Sequence, residues 1–397
     1  MNIAPEVHRF FMPTDVRCGR GVLAALEESS RFAKRPAILC GKQAARKHGH
    51  LDAVLTYLPN ALILEGVPEN PTFSDAESYV APCRDEQVDL LIALGGGSVM
   101  DVAKALALCI PNEGRCRDFV DQLPPNMPLP VIAIPTTAGT GSEVTPYAVL
   151  VDEIENKKVT LRSPDLFPRM ALLDPALTVS MPPEVTCATA LDALSQAMEG
   201  MVSRKATPTG NLLALECCRA VRKYLPQALK RPDDLVAREG LLYAAMLSGM
   251  VIAQSGTTLV HGMGYYYTLQ CGVAHGVANA LLLPPLFWWN AHLVPEKTDL
   301  LAQALGCRAG GVVAEAPRRV AKVLYQFYDE IGFKPGAGDH GVPENALAAM
   351  ATDIIGEPYR FKNQLGQFSL EQVSALFQAS WTGNLGDLDD ISGPRSE

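Results

Sequence analysis

The chain has 397 residues, 48% of them hydrophobic and 19% charged, which is the composition of an ordinary globular protein with room for more than one domain. Its net charge of -9, with no block of basic residues, argues against nucleic acid or an anionic membrane as the main partner. The start, MNIAPEVHRFFMPTDV, has no basic region followed by an apolar run, and no later stretch offers the roughly 18 uninterrupted apolar residues of a membrane span, so a cytoplasmic address is expected. Ten cysteines occur singly, except for the adjacent Cys217 and Cys218, and no C-x-x-C pair suggests a disulfide framework or a cysteine zinc site.

From Arg17 to about residue 180, short apolar runs alternate with helix-like stretches. Runs 36–40, 61–64, 88–94 and 131–134 have the length and apolarity of buried parallel strands, and stretches 21–33, 43–56 and 72–87 can supply the crossover helices. The expectation is a doubly wound, mostly parallel, Rossmann-like α/β domain over residues 1–180. Strand 88–94 runs directly into GGGSVMDVAKALAL, where Gly95, Gly96 and Gly97 permit a tight turn and Ser98 can cap the helix that follows. A pyrophosphate can sit on that helix N-terminus, although a plain strand-to-helix turn has the same residues. After strand 131–134 comes PTTAGTGSEVT, in which Thr136, Thr137, Thr140 and Ser142 can bond phosphate or ribose oxygens. Two such loops at the ends of successive strands form the crevice in which an open α/β sheet binds a dinucleotide.

Beyond Pro182 the texture turns helical, with helix-like stretches at 184–202, 211–230, 233–255, 276–283, 296–305, 312–332, 344–355 and 370–382. Residues 181–397 are therefore expected to form an all-helical domain. It carries TALDALSQAMEG, where Asp192 and Gln196 are four apart on one helix face, and VHGMGYYYTLQCGVAHGVANALLLPP, where His261 and His275 are each followed by glycine. Two imidazoles in apolar sequence can be hydrogen-bonded core residues. A carboxylate on a small, apolar helix face nevertheless needs a partner, and a divalent cation shared with two histidines is one.

Together GGGSVMDVAKA, IPTTAGTGSEVT, LDALSQAMEG, VHGMG and AHGVANALLLP, in this order and spacing, resemble the iron-dependent (group III) alcohol dehydrogenase family over nearly the whole chain. The resemblance implies a dehydroquinate synthase-like superfold and transfer of hydride between NAD or NADP and a small alcohol or aldehyde. It also implies a homo-oligomer such as a dimer. It places pyrophosphate contacts on Gly95, Gly96, Gly97 and Ser98, and further cofactor contacts on Asn70, Thr136, Thr137, Thr140 and Lys158. One divalent metal, iron or zinc, falls to Asp192, Gln196, His261 and His275.

Three departures qualify it. Gln196 replaces the family's histidine and offers only a weaker carbonyl donor, and no histidine between His50 and His261 can substitute. Tyr265 stands where many members carry a histidine thought to relay the proton, so it is either a relay or a packing residue. Gly41, followed by Lys42, Arg46 and Lys47, replaces the aspartate that favours NAD, which makes NADP(H) acceptable. Relatives act on varied short alcohols and aldehydes, and no residue here selects among them. Two alternatives remain: a same-fold lyase that uses NAD transiently, and a nucleotide-binding homologue without turnover.

Overall fold

The computed structural model describes residues 8–120, 122, 124–309, 312 and 315–388. Two compact units result, one of residues 11–182 and 232–242, the other of residues 8–10, 183–231 and 243–388.

In the first unit six strands form one parallel sheet: β1 (Asp15–Cys18), β2 (Pro36–Gly41), β3 (Leu62–Val67), β4 (Leu90–Gly95), β5 (Val131–Pro135) and β8 (Met170–Leu173), in the order β1-β8-β5-β4-β2-β3. The continuous apolarity of the central strands follows from burial on both faces. Ala37, Leu39, Leu91 and Ala93 pack into one core and Ile38, Cys40, Leu90, Ile92 and Leu94 into the other, the alternation a pleated strand imposes. A separate antiparallel hairpin, β6 (Tyr147–Asp152) with β7 (Lys157–Arg162), lies outside the sheet.

The strands expected at 36–40, 61–64, 88–94 and 131–134 all form, and β1, β8 and the hairpin are additions. The first two are only four residues long, and β1 (DVRC) carries two charges at the sheet edge, so neither has a usable periodicity. Stretch 43–56 divides into α1 (Ala44–Lys47) and α2 (His50–Leu55) because Gly49 adopts φ 72°, a left-handed conformation that ends a helix. Stretch 72–87 likewise becomes α3 (Phe73–Glu77) and α4 (Val80–Asp85), and 21–33 forms a 3-10 helix, Val22–Arg31. The central helix α5 (Gly97–Cys109) covers one face of the sheet, and its last residue is bonded to Cys116. The 3-10 turn Cys116–Phe119 returns the chain to within a Cα separation of 6.0 Å of Cys109.

The helical unit is built on α6 (Pro183–Val202), α7 (Pro208–Lys230), the later part of α8 (Leu235–Ser255), α9 (Leu259–Cys271), α10 (His275–Leu293), α11 (Pro295–Ala304), α12 (Ala316–Glu330), α13 (Leu347–Ile355) and α14 (Leu370–Thr382). Helix α8 is long and apolar enough to span a membrane by length and composition alone, with a mean hydropathy of 1.5, yet 72% of that stretch is buried inside the protein. The expectation of a helix over 276–283 stopped at the prolines, but α10 continues through Pro284 and Pro285. Pro284 cannot donate to the carbonyl of Ala280 one turn back, and the Tyr328 hydroxyl donates to it instead at 2.8 Å. A tertiary contact thus replaces the missing backbone bond.

Candidate functional site

In the α/β unit, β4 ends at Gly95 and α5 begins two residues later. A Cβ on Gly97 would lie 2.7 Å from Thr140 Cγ2, and one on Gly96 would lie 3.1 Å from Thr137 Oγ1. Glycine is required there because the two loops lie against each other, which brings Gly96, Gly97, Ser98, Thr137 and Thr140 into one place. The Thr136 N–H donates to Gly95 O at 3.0 Å and fixes their register. The half-buried start of a 13-residue helix beside threonine hydroxyls suits a phosphate. Asn70, in the left-handed region at φ 49°, leads into Pro71, whose carbonyl accepts from Val151 N–H at 2.8 Å; Val151 pairs with Lys158 across the hairpin. Gly41 closes β2, and Arg46 beyond it is held by both carboxylate oxygens of Glu65, at 2.7 and 2.8 Å.

Beneath the second loop lies Lys104, fully buried, a residue that sequence reasoning treated only as part of a helix. Its Nζ donates to Ser142 O at 2.6 Å, Ser142 Oγ at 2.7 Å and Tyr147 O at 2.8 Å. Burial lowers its pKa to about 8, although Asp101 and Glu143 pull the other way. Ser142 Oγ in turn donates to Asp101 at 2.7 Å, so a buried ionic network pins the second loop to α5.

The helical unit brings Asp192, His261 and His275 together, their ligand atoms all within 4.8 Å of one another. Asp192 comes from the middle of α6, His261 from the first turn of α9 and His275 from the first residue of α10. Gly272, at φ 72°, ends α9 and lets the chain reverse, so that the two imidazoles meet at a centroid separation of 5.2 Å. Gly276 allows α10 to approach α6, since a Cβ there would fall 1.9 Å from Ala188 O. His261 Nε2 is 3.5 Å and His275 Nε2 3.8 Å from Asp192 Oδ1.

Glu199, also wholly buried, organises His261 from behind. Its Oε2 is bonded to His261 Nδ1, and its Oε1 accepts from Thr258 N–H at 3.0 Å, Thr258 Oγ1 at 2.8 Å and His261 N–H at 3.2 Å. The Nδ1 proton is thereby fixed, and Nε2 is the nitrogen left to take up an acid, whether a proton or a cation. Burial lowers the His261 pKa, but the carboxylates of Glu199 and Asp192 outweigh it and raise the pKa to about 10. For Asp192, burial acts upward and is outweighed by His261, His275 and Asn279, so its carboxyl stays below the ordinary value. Glu199 lies at helical spacing from Asp192 and Gln196, which is the signal that could have found it.

Gln196 shares the face but points its groups elsewhere. Its Nε2 donates to Asp192 Oδ2 at 3.1 Å, and its Oε1 accepts from Ser248 Oγ at 2.9 Å. Tyr265 stacks on the His275 ring at 5.3 Å with an interplanar angle of 8°, and the Arg360 guanidinium lies 5.4 Å from its centroid. Asn279, one turn after His275 and absent from the sequence expectations as a site residue, places its Nδ2 2.9 Å from Asp192 Oδ1. One carboxylate and two imidazoles suit a divalent cation, and the buried Asn279 Oδ1 has no hydrogen-bond partner within the protein, so polar capacity is left over at the cluster.

A cluster of side chains able to hold a Lewis-acid cation, in a chain that also holds a dinucleotide-type sheet, is the equipment of a metal-dependent oxidoreductase. Residues 13–175 match the family model described as iron-containing alcohol dehydrogenase, and residues 186–381 match that of the Fe-containing alcohol dehydrogenase family, C-terminal. The chain belongs to the iron-containing alcohol dehydrogenase family. It is 32% identical to a probable alcohol dehydrogenase of Escherichia coli, over 94% of this chain and 95% of that one. It is 30% identical to an NAD-dependent methanol dehydrogenase of Bacillus methanolicus, over 87% and 93% of the two chains. The solved structure of an iron-containing alcohol dehydrogenase from Thermotoga maritima superimposes with a TM-score of 0.83 at 34% identity, covering 95% of this chain and 100% of that one.

Proposed function

We propose that the protein interconverts a small alcohol and its aldehyde with NAD or NADP, using a divalent cation, iron or zinc, held by Asp192, His261 and His275. The observation that carries this reading is the closeness of those three ligand atoms, assembled from three helices and braced by Glu199. When bound, the cation would supply Lewis acidity toward the substrate oxygen, and the nicotinamide would give or take the hydride.

The chain's own residues do the holding and orienting. Asp192 contributes the negative charge of the cluster, with Gln196 and Asn279 each donating to one of its oxygens. Glu199 keeps His261 in one tautomer and one orientation. Tyr265 acts on the site by stacking, which keeps the His275 imidazole from swinging away. Gly95, Gly96, Gly97 and Ser98 receive the pyrophosphate, and Thr136, Thr137 and Thr140 flank it; Asn70 and Lys158 are assigned to the rest of the cofactor. Gly41 leaves no carboxylate to repel a 2′-phosphate, while the charge of Arg46 is largely answered by Glu65, so both cofactors are accepted. The NAD dependence of the Bacillus methanolicus relative supports the first of them.

The test substitutes one ligand. His275→Ala is expected to abolish turnover of a panel of short aldehydes while leaving binding of the dinucleotide nearly intact, and unchanged turnover would overturn the reading.

A further inference from the structure

Asn279 occupies a place that the assigned ligand set does not explain. Its Nδ2 lies 2.9 Å from Asp192 Oδ1, 3.1 Å from His261 Nε2 and 3.3 Å from His275 Nε2, so one side-chain atom reaches all three ligand atoms. An amide nitrogen has two hydrogens, so it cannot satisfy three such neighbours, and at least one contact is unmade. On the other side of the same group, Oδ1 is buried with no partner. A buried carbonyl without a donor is unfavourable and calls for an explanation.

The two ends of an amide have the same shape, so a half-turn about its terminal bond exchanges them without moving any neighbour. That turn would set Oδ1 against Asp192 Oδ1 and the two imidazoles, which is repulsive among the oxygens and becomes favourable when they share a cation. The backbone around Asn279 is fitted to its amide: a Cβ on Gly264 of α9 would lie 2.3 Å from Asn279 Oδ1. Of the three ligand residues Gln196 contacts Asp192, through Nε2 at 3.1 Å from Oδ2, while its Oε1 lies 2.9 Å from Ser248 Oγ.

We propose that Asn279, through its side-chain carbonyl oxygen, is the fourth protein ligand of the cation, the position that residue 196 does not fill in this chain. The inference rests on the proposed function, since it needs the cation that Asp192, His261 and His275 are assigned to hold. Asn279 then has two states, a donor to Asp192 Oδ1 and an oxygen ligand, related by the turn of one amide.

Equilibrium binding of Zn2+ and Co2+ to the full chain, measured by competition with a chromophoric chelator, together with the visible spectrum of the Co2+ form, tests this. Asn279→Ala is expected to bind at least about tenfold more weakly and to alter the Co2+ bands. Asn279→Asp, which has only oxygens to offer, is expected to bind at least as tightly as the parent. If Asn279 served only as an N–H donor to Asp192, the Asp variant would instead set two carboxylates in contact and weaken binding. Affinity and spectrum unchanged in Asn279→Ala, or tenfold weaker binding in Asn279→Asp, overturns the proposal. His275→Ala separates the two levels: if it loses the ion while Asn279→Ala does not, only the role of Asn279 fails. If it binds like the parent, the site assignment fails with it.

Discussion

Glu199 shows how much of this site depends on a residue that need not touch substrate. Its carboxylate accepts from one side chain ring, one hydroxyl and two backbone N–H groups, and all of them position His261. Glu199→Gln preserves the shape but replaces one oxygen by a donor, which faces groups that are themselves donors. The expected outcome is a fall in metal affinity of about 10- to 100-fold, with the secondary structure retained. Chelator competition beside circular dichroism checks it, and affinity equal to the parent would show that His261 is oriented by other means. The difference between Glu199 and Gln196 is instructive at the same scale. Both lie on the ligand-bearing face of α6, yet one is committed to a ligand's far side and the other to Ser248, and only the neighbouring helices decide which.

At the scale of the element, α10 carries the largest departure from local rules. Two prolines in its interior would break an isolated helix, each removing a backbone bond. Tyr328 on α12 compensates one of them by donating to the Ala280 carbonyl. Tyr328→Phe removes that donor and leaves a buried acceptor unmet, so a loss of about 1–3 kcal/mol in unfolding free energy is expected, readable in denaturant titration. A variant as stable as the parent would mean that the carbonyl is served otherwise. The same helix explains why glycine follows His275. With Ala188 O only 1.9 Å from where a Cβ would stand, the first turn of α10 can meet α6 only through Gly276, and this contact carries His275 toward Asp192.

For the whole molecule, the buried charges around Lys104 and Glu143 make stability depend on pH. Glu143 is 2% exposed, and burial raises its pKa from 4.5 to about 7, against the pull of its own backbone N–H and of Lys104. The folded chain therefore holds a proton on Glu143 that the unfolded chain has released between about pH 4.5 and 7. Stability contributed by this group falls as pH rises through that window. Glu143→Gln should flatten the decline, matching the parent at the acidic end and exceeding it by up to about 3 kcal/mol above pH 7. Unfolding curves across that range check the sign, and parallel curves for the two proteins would refute it.

The legible features were those written in contiguous sequence. Four of the six sheet strands, the glycine turn into α5 and the helical second half could be read because apolar runs, glycine turns and helical spacing are local signals. Strands β1 and β8, four residues each, escaped because so short a run has no usable periodicity, and the path of α10 through Pro284 escaped because its compensation comes from α12. In the site, sequence alone determined which residue types were available: Asp192 on α6, His261 and His275 each followed by glycine, and no histidine between His50 and His261. Only the tertiary structure decided that Asp192, His261 and His275 converge, that Glu199 stands behind one of them, and that Asn279 rather than Gln196 faces all three. The reason is physical: spacing along one helix dictates which side chains share a face, whereas distances of a few ångströms between three helices are set by how closely their backbones pack.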